Sequence, residues 1–174
     1  MIDFTVNLDV EGWMSLVDLL WLFNTAQNMN SIVEIGCWKG RSTLALLSAC
    51  TGMVYAVDHF QGSSGEPDST TIEAKEKDIH SIFKSNIGER ENLKLYKMSS
   101  MEAVKSFADK SVDMVFIDSD HDYEEVRKDI NAWLPKTIKM ICGHDIMKEP
   151  VRRAVTELVG DYKTSSDNIW YEEL

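Results

Sequence analysis

The chain has 174 residues, 18 of them basic and 29 acidic, for a formal net charge of −11. That length suits a single domain, residues 1–174, and 44% apolar with 27% charged residues suits a folded globular chain, not a disordered, collagen-like or coiled-coil one. The acid excess argues against a sequence-independent nucleic-acid binder, which needs a basic surface against phosphate, and against attachment to an anionic membrane.

No run reaches the ~20 apolar residues of a membrane helix. The opening residues carry no basic stretch ahead of an apolar one, so they do not read as a signal peptide. Cys37, Cys50 and Cys142 are odd in number and widely spaced, which indicates neither a disulfide framework nor a zinc knuckle. The expectation is three reduced thiols in a cytoplasmic protein.

In chain order, Trp13, Leu16, Val17, Leu20 and Phe23 recur at helical spacing and predict an amphipathic helix over residues 10–28. Residues 1–29 form an amino-terminal helical segment expected to pack on the site. Ser31–Ile35 is an apolar strand that stops at Gly36. Leu44, Leu47 and Ser48 carry a second helix to about Cys50, and Gly52 ends it. Met53–Val57 is the next strand. Gln61–Thr71 is polar and aperiodic, and reads either as a substrate lid hinged at Gly62 and Gly65 or as a plain surface loop.

Ile72, Ile79, Phe83 and Ile87 predict one helix, and Leu93–Lys97 a strand. A short helix follows through Met101, Val104 and Phe107. Val112–Ile117 is a strongly apolar strand. Val126, Ile130 and Trp133 stripe a helix that stops before Pro135. Ile138–Cys142 is a strand, Val151 to Leu158 a helix, and residues 162–172 two strands turning at 166–168. This alternation predicts a Rossmann-like, doubly wound α/β fold. Its seven-stranded sheet is mostly parallel, with an antiparallel carboxyl-terminal hairpin.

In such sheets ligands bind beyond the carboxyl ends of the strands. Those ends read Glu34-Ile35-Gly36-Cys37-Trp38-Lys39-Gly40, Asp58-His59-Phe60, Ser99-Ser100, Asp118-Ser119-Asp120-His121-Asp122 and Gly143-His144-Asp145. Three of the four histidines stand there beside an aspartate. Gly36 permits a tight turn, and Gly40 permits a ligand to approach the backbone. The pattern is neither a Walker loop, since no Gly-Lys-Ser/Thr follows, nor the dinucleotide fingerprint, since the glycines are four apart. An acid in the place of Asp58 accepts ribose hydroxyls in nucleotide sites. Asp122, ahead of Tyr123, has the position of a helix cap.

The segments VEIGCWKGRSTLAL, VYAVDHFQG, VFIDSDHDYEEVRKDINAWLPK and ICGHD together resemble class I S-adenosylmethionine-dependent methyltransferases. The branch is the small O-methyltransferase-like group with macrocin- and catechol-type enzymes, and the likeness runs from about Gly12 to Leu174. The resemblance implies that Glu34, Gly36, Gly40 and Ser42 surround the methionine part of S-adenosylmethionine, and that Asp58 holds its ribose. His59, Phe60, Ser99, Ser100 and Met101 would flank the adenine, and Asp118 would lie near the sulfonium. It implies O-methylation of a small-molecule acceptor, with Mg²⁺ or Mn²⁺ on Asp118 and Asp145, and His144 is the candidate for a third ligand.

The group's catechol-type pattern has Asp-Asn after the fifth strand, where this chain has His144-Asp145. A histidine ligand, or a metal-free route with His144 or His121 as base, are both open on the sequence. Two other readings stand beside the leading one. A nicotinamide-dependent oxidoreductase shares the parallel sheet and Asp58 but not the glycine spacing. A cofactor-binding protein without transferase activity would keep the same cofactor residues. The acceptor and the oligomeric state are not legible in the sequence.

Overall fold

A computed structural model describes residues 9–63, 69–165 and 168–174. Five parallel strands form its centre: β1 (Ser31–Ile35), β2 (Met53–Val57), β3 (Leu93–Tyr96), β4 (Val112–Ile117) and β5 (Thr137–Gly143). The hairpin β6 (Lys163–Ser165) and β7 (Ile169–Glu173) joins antiparallel through β7 on β5. The strand order is β3-β2-β1-β4-β5-β7-β6. The chain runs outward from β1 to β3 and then returns to place β4 on the other side of β1. This reversal opens a crevice at the carboxyl ends of β1 and β4.

The pleat divides the apolar residues between two cores. Ile32, Val54, Ala56, Met114, Phe116 and Cys142 face α1 (Leu16–Ala26), α2 (Arg41–Ala49) and α4 (Ile79–Ile87). Val33, Ile35, Val57, Val115, Ile117 and Ile141 face α5 (Ser100–Ala103), α6 (Tyr123–Trp133) and α7 (Glu149–Leu158). β4 is buried at all six positions, which explains why all of its residues but Asp113 are apolar: helices cover both its faces, and Asp113 is paired with Lys139 (2.9 Å).

Two helix boundaries differ from the sequence expectation. The first helix starts at Leu16, not near residue 10, because Ser15 and Asp18 form a capping box. The Asp18 N–H donates to Ser15 Oγ (3.2 Å), and the Ser15 N–H donates to Asp18 Oδ2 (3.0 Å). The helix predicted from Ile72 to Ile87 is two helices, α3 (Ser69–Glu76) and α4, and α3 starts inside the stretch read as a loop. Asp78 breaks the run by accepting the Ser81 N–H (3.1 Å), the job of an N-cap. The Gly65 hinge of that loop, and the first two residues of the hairpin turn at 166–168, lie outside the described residues. Among the described residues no helix is long and apolar enough to cross a membrane.

Candidate functional site

The crevice opens into a cavity of about 650 Å³, walled by the ends of β1, β2, β4 and β5 and by residues 11–14 ahead of α1. The strand ends are laced together: the Gly36 N–H donates to Val57 O (2.9 Å), Asp118 to Ile35 O (2.8 Å) and His144 to Ile117 O (3.1 Å). Three of the non-glycine residues with left-handed backbone stand here, Trp38 (φ 45°), Phe60 (φ 61°) and Asp145 (φ 61°). Such conformations cost energy and tend to gather at functional sites.

Gly36, Ser42, Asp58, His59, Ser99, Ser100, Met101, Asp118, His121, His144 and Asp145 all line this cavity. Glu34, Gly40 and Phe60 do not, and each has a supporting place. Glu34 is fully buried and accepts the Thr43 hydroxyl (2.5 Å), while its Oε1 has no partner. Burial lifts its carboxyl to about 7, against the lowering effect of Ser42 and Thr43. A Cβ on Gly40 would lie 2.7 Å from Ile87 Cδ1, so that glycine lets α4 approach, where the sequence suggested a ligand. Phe60 packs its ring at a tilt against His80 and Phe83, with centroids 5.1 and 5.5 Å apart.

Asp58 ties the two nearest turns together. Its Oδ2 accepts the Trp38 N–H (2.8 Å) and its Oδ1 the Phe60 N–H (2.6 Å). Burial raises its carboxyl and these N–H donors counter that. Each oxygen keeps a second lone pair for another donor. Ser100 has less to offer a ligand, since its hydroxyl donates to Asp129 (2.5 Å) and accepts the Trp133 indole N–H (2.8 Å). Asp122 caps α6, accepting the Glu124 N–H at 3.0 Å.

At the opposite end, Asp118, His121 and Asp145 each offer one ligand atom within 4.8 Å of the others, a set that fits a cation of mixed oxygen and nitrogen preference. His121 Nε2 lies 2.6 Å from Asp145 Oδ2. The sequence reading put His144 in this trio. His144 is instead buried (5% exposed) under it, with Nδ1 at 3.7 Å from Asp118 and 3.6 Å from Asp145. Its Nε2 faces Asn168 Nδ2 (3.0 Å) and Asp18 Oδ2 (3.5 Å). Burial alone would pull the imidazolium pKa down, but Asp145, Asp118 and Asp18 outweigh it and lift it to about 9. Burial would raise the Asp145 carboxyl, yet both histidines hold it well below the usual carboxylate range. Asp118 is raised, chiefly by burial.

Several side chains at the site were not singled out from the sequence. Lys39 is buried at the turn and pairs with Glu11 and Glu73, both at 2.7 Å. Arg41 donates to the carbonyls of Val10 (2.7 Å) and Met14 (3.0 Å), so residues 10–14 are strapped over the cavity edge. Trp13, on that strap, stands 6.4 Å from Trp38. Asp18 and Asn168 come from opposite ends of the sequence, and only the fold brings them to His144. Asp129 carries a weak signal, as an acid between Val126 and Ile130 of an apolar stripe.

Sheet order, crevice and strand-end acids together define the class I S-adenosylmethionine-dependent methyltransferase fold. The chain belongs to the methyltransferase-domain family, which matches residues 33–146. A curated protein of Sinorhizobium fredii (strain NBRC 101917 / NGR234), the uncharacterized protein y4gI, is 26% identical over 117 residues. That match covers 67% of this chain and 13% of the much longer relative.

Among solved structures, the O-methyltransferase NovP superposes with a TM-score of 0.70 at 14% identity, covering 92% of this chain and 80% of NovP. The O-methyltransferase of Bacillus cereus in complex with SAH gives 0.64 at 14% identity, over 94% and 84%. TomG of Streptomyces achromogenes, solved with SAM, gives 0.64 at 13% identity, over 91% and 80%. At these identities the likeness is one of fold.

Proposed function

We propose that the chain transfers the methyl group of S-adenosylmethionine to a hydroxyl oxygen of a small-molecule acceptor, with a divalent cation held by Asp118, His121 and Asp145. The observation that carries this reading is the meeting, around one cavity, of Asp58, Asp118 and the amino terminus of α2. When bound, S-adenosylmethionine supplies the sulfonium-borne methyl, and the cation supplies the Lewis acidity that lowers the pKa of an acceptor hydroxyl.

The chain's own residues do the rest. The second lone pairs of Asp58 accept the two ribose hydroxyls. The first N–H groups of α2, beside Ser42, receive the carboxylate of the methionine part, since helix N-termini present unpaired donors. Asp118 faces the sulfonium and attracts its charge. Asn168 and Asp18 pin His144, and His144 fixes Asp118 and Asp145 relative to each other. Trp13 and Trp38 shield the cavity from bulk water at its edge. The comparisons support this reading through family membership and through a fold shared with O-methyltransferases.

Calorimetric titration with S-adenosylmethionine and, separately, NAD tests it. Binding of S-adenosylmethionine and not of NAD is expected; the reverse would overturn the reading. Asp58→Ala removes two hydrogen bonds to a charged acceptor and is expected to weaken binding roughly 10- to 100-fold. Mn²⁺ titration followed by electron paramagnetic resonance tests the cation, with Asp145→Asn expected to lose the bound signal. A wild-type chain that leaves Mn²⁺ free would favour a metal-free route, in which His121, oriented by Asp145, accepts the acceptor's proton.

A further inference from the structure

Asp129 is buried on α6, 6% exposed, and its carboxylate reaches the cavity wall where the segments following β3 and β4 meet. Its Oδ1 accepts the Ser100 hydroxyl (2.5 Å) and its Oδ2 the Ser119 hydroxyl (2.7 Å). Ser100 Oγ in turn accepts the Trp133 indole N–H (2.8 Å). An indole N–H only donates and an ionised carboxylate only accepts, so the direction of each of these hydrogen bonds is set. Burial raises the Asp129 carboxyl, and the two hydroxyls favour its ionised form. At the same end the Ser99 hydroxyl donates to Glu102 (2.6 Å). Each of the three serines has one hydroxyl proton, and each proton is committed to a carboxylate. Ser119 therefore turns two lone pairs, and no proton, towards the cavity, and Ser100 keeps one lone pair. A buried charge is a costly way to tie two loops together. What it adds over a neutral side chain is a set proton direction.

We propose that Asp129 is a positioning residue that makes this end of the cavity select the base of the cofactor. By taking the protons of Ser100 and Ser119, it leaves both hydroxyls as acceptors, which suit a purine carrying an exocyclic amino group and disfavour one carrying an oxo group. The inference rests on S-adenosylmethionine as the ligand, with Ser100 beside its adenine. The adenine amino group donates to the open lone pairs of Ser119. In hypoxanthine an oxo oxygen stands in that place, and acceptor faces acceptor with no proton between them. Leaving buried polar groups unpaired is what lets a site reject a near-isostere. The serines alone could not discriminate, because an untied hydroxyl rotates to donate to one base and accept from the other.

Calorimetric titration of the full chain with S-adenosylhomocysteine and with S-inosylhomocysteine tests this, since the two differ only in that group and the neighbouring ring proton. The wild type is expected to bind the adenosyl compound at least about tenfold more tightly. Asp129→Asn keeps the shape but sets an amide N–H against one serine. Whichever way the amide turns, one hydroxyl proton is released towards the cavity. The preference is expected to fall to within about threefold, chiefly through better binding of the inosyl compound. A merely structural role would weaken both ligands alike and leave their ratio unchanged. Ser119→Ala is expected to weaken the adenosyl compound about three- to tenfold and to leave the inosyl compound as it was. A wild type that binds both equally, or a folded Asp129→Asn chain that keeps the wild-type ratio, would overturn the proposal. An unchanged ratio in Ser119→Ala would overturn it as well, and that result stands even where Asp129→Asn fails to fold. A wild type that binds neither compound would overturn the cofactor reading itself, and this inference with it.

Discussion

His144 is a histidine held by three carboxylates, and that arrangement has a measurable signature. Its folded pKa of about 9 stands above the ordinary 6.5, so folding takes up a proton through this group. The stability it contributes is complete below pH 6.5 and is lost as pH rises through 9. The span corresponds to about 3 kcal/mol, or roughly 6–12 °C in melting temperature for a chain of this size. Glu34 pushes the same way at lower pH. Its carboxyl prefers to be protonated in the fold, so its burden grows between 4.5 and 7 and is constant above that. The first part of the fall above pH 7 therefore belongs to His144, and towards pH 9 the buried thiols of Cys37, Cys50 and Cys142, which burial pushes up, add to it. Thermal melts of the wild type should decline across that window, and His144→Gln should flatten the decline. An equally steep wild-type and variant profile would show that the carboxylates do not hold the imidazolium.

At the scale of elements, the turn from β1 into α2 is where sequence and fold are most tightly bound. Gly36 has φ +86°, and a Cβ there would lie 2.1 Å from the Asp118 carbonyl oxygen. Both obstacles are backbone, so nothing flexible can yield. Gly36→Ala is expected to cost more than about 3 kcal/mol in urea unfolding and to open the β1–β4 crevice. Gly88 is the control: its φ is +67° but a Cβ would meet nothing within 4 Å, so Gly88→Ala should cost only about 1 kcal/mol of backbone strain. Equal costs would deny that close approach of β4 dictates Gly36.

The glycine at β1, the strand alternation and the acids at strand ends were all readable in the sequence, because each is a local pattern with a local cause. The break between α3 and α4 was not, because Ile72 and Ile79 keep a helical spacing across it. Only the competing Asp78 side chain marks the interruption. Gly40 was legible as a special backbone position but not as a packing one, since its neighbour Ile87 lies 47 residues on. That His121 as well as His144 stands beside Asp145 was illegible for a related reason. Both histidines follow strands, and only the depth of each in the fold separates a buried strut from a side chain at the surface of the cavity.

For the whole molecule, charge and topology act on the same crevice. The net charge of −11 surrounds a cavity whose walls carry Asp58, Asp118, Asp120 and Asp145. Of its cations, Lys39 and Lys148 are paired with carboxylates, and the Arg41 guanidinium donates to the carbonyls of Val10 and Met14. A negative field focused in a cleft speeds the arrival of a cation, and salt screens it over a Debye length of about 10 Å at 0.1 M. S-adenosylmethionine carries a net positive charge, because its sulfonium adds to a balanced ammonium and carboxylate. S-adenosylhomocysteine lacks the sulfonium and is neutral, while its shape is nearly the same.

Their association rates should therefore respond differently to ionic strength. Between 20 and 300 mM salt the rate for S-adenosylmethionine is expected to fall roughly three- to tenfold, and that for S-adenosylhomocysteine to change by less than about twofold. Stopped-flow tryptophan fluorescence reads both, since Trp13 and Trp38 border the cavity. Parallel salt dependence of the two would mean that entry is limited by something other than the field. The strap over residues 10–14, clasped by Lys39 and Arg41, would then be the element to release, because its polar clasps are the contacts that any ligand entering past Trp13 must disturb.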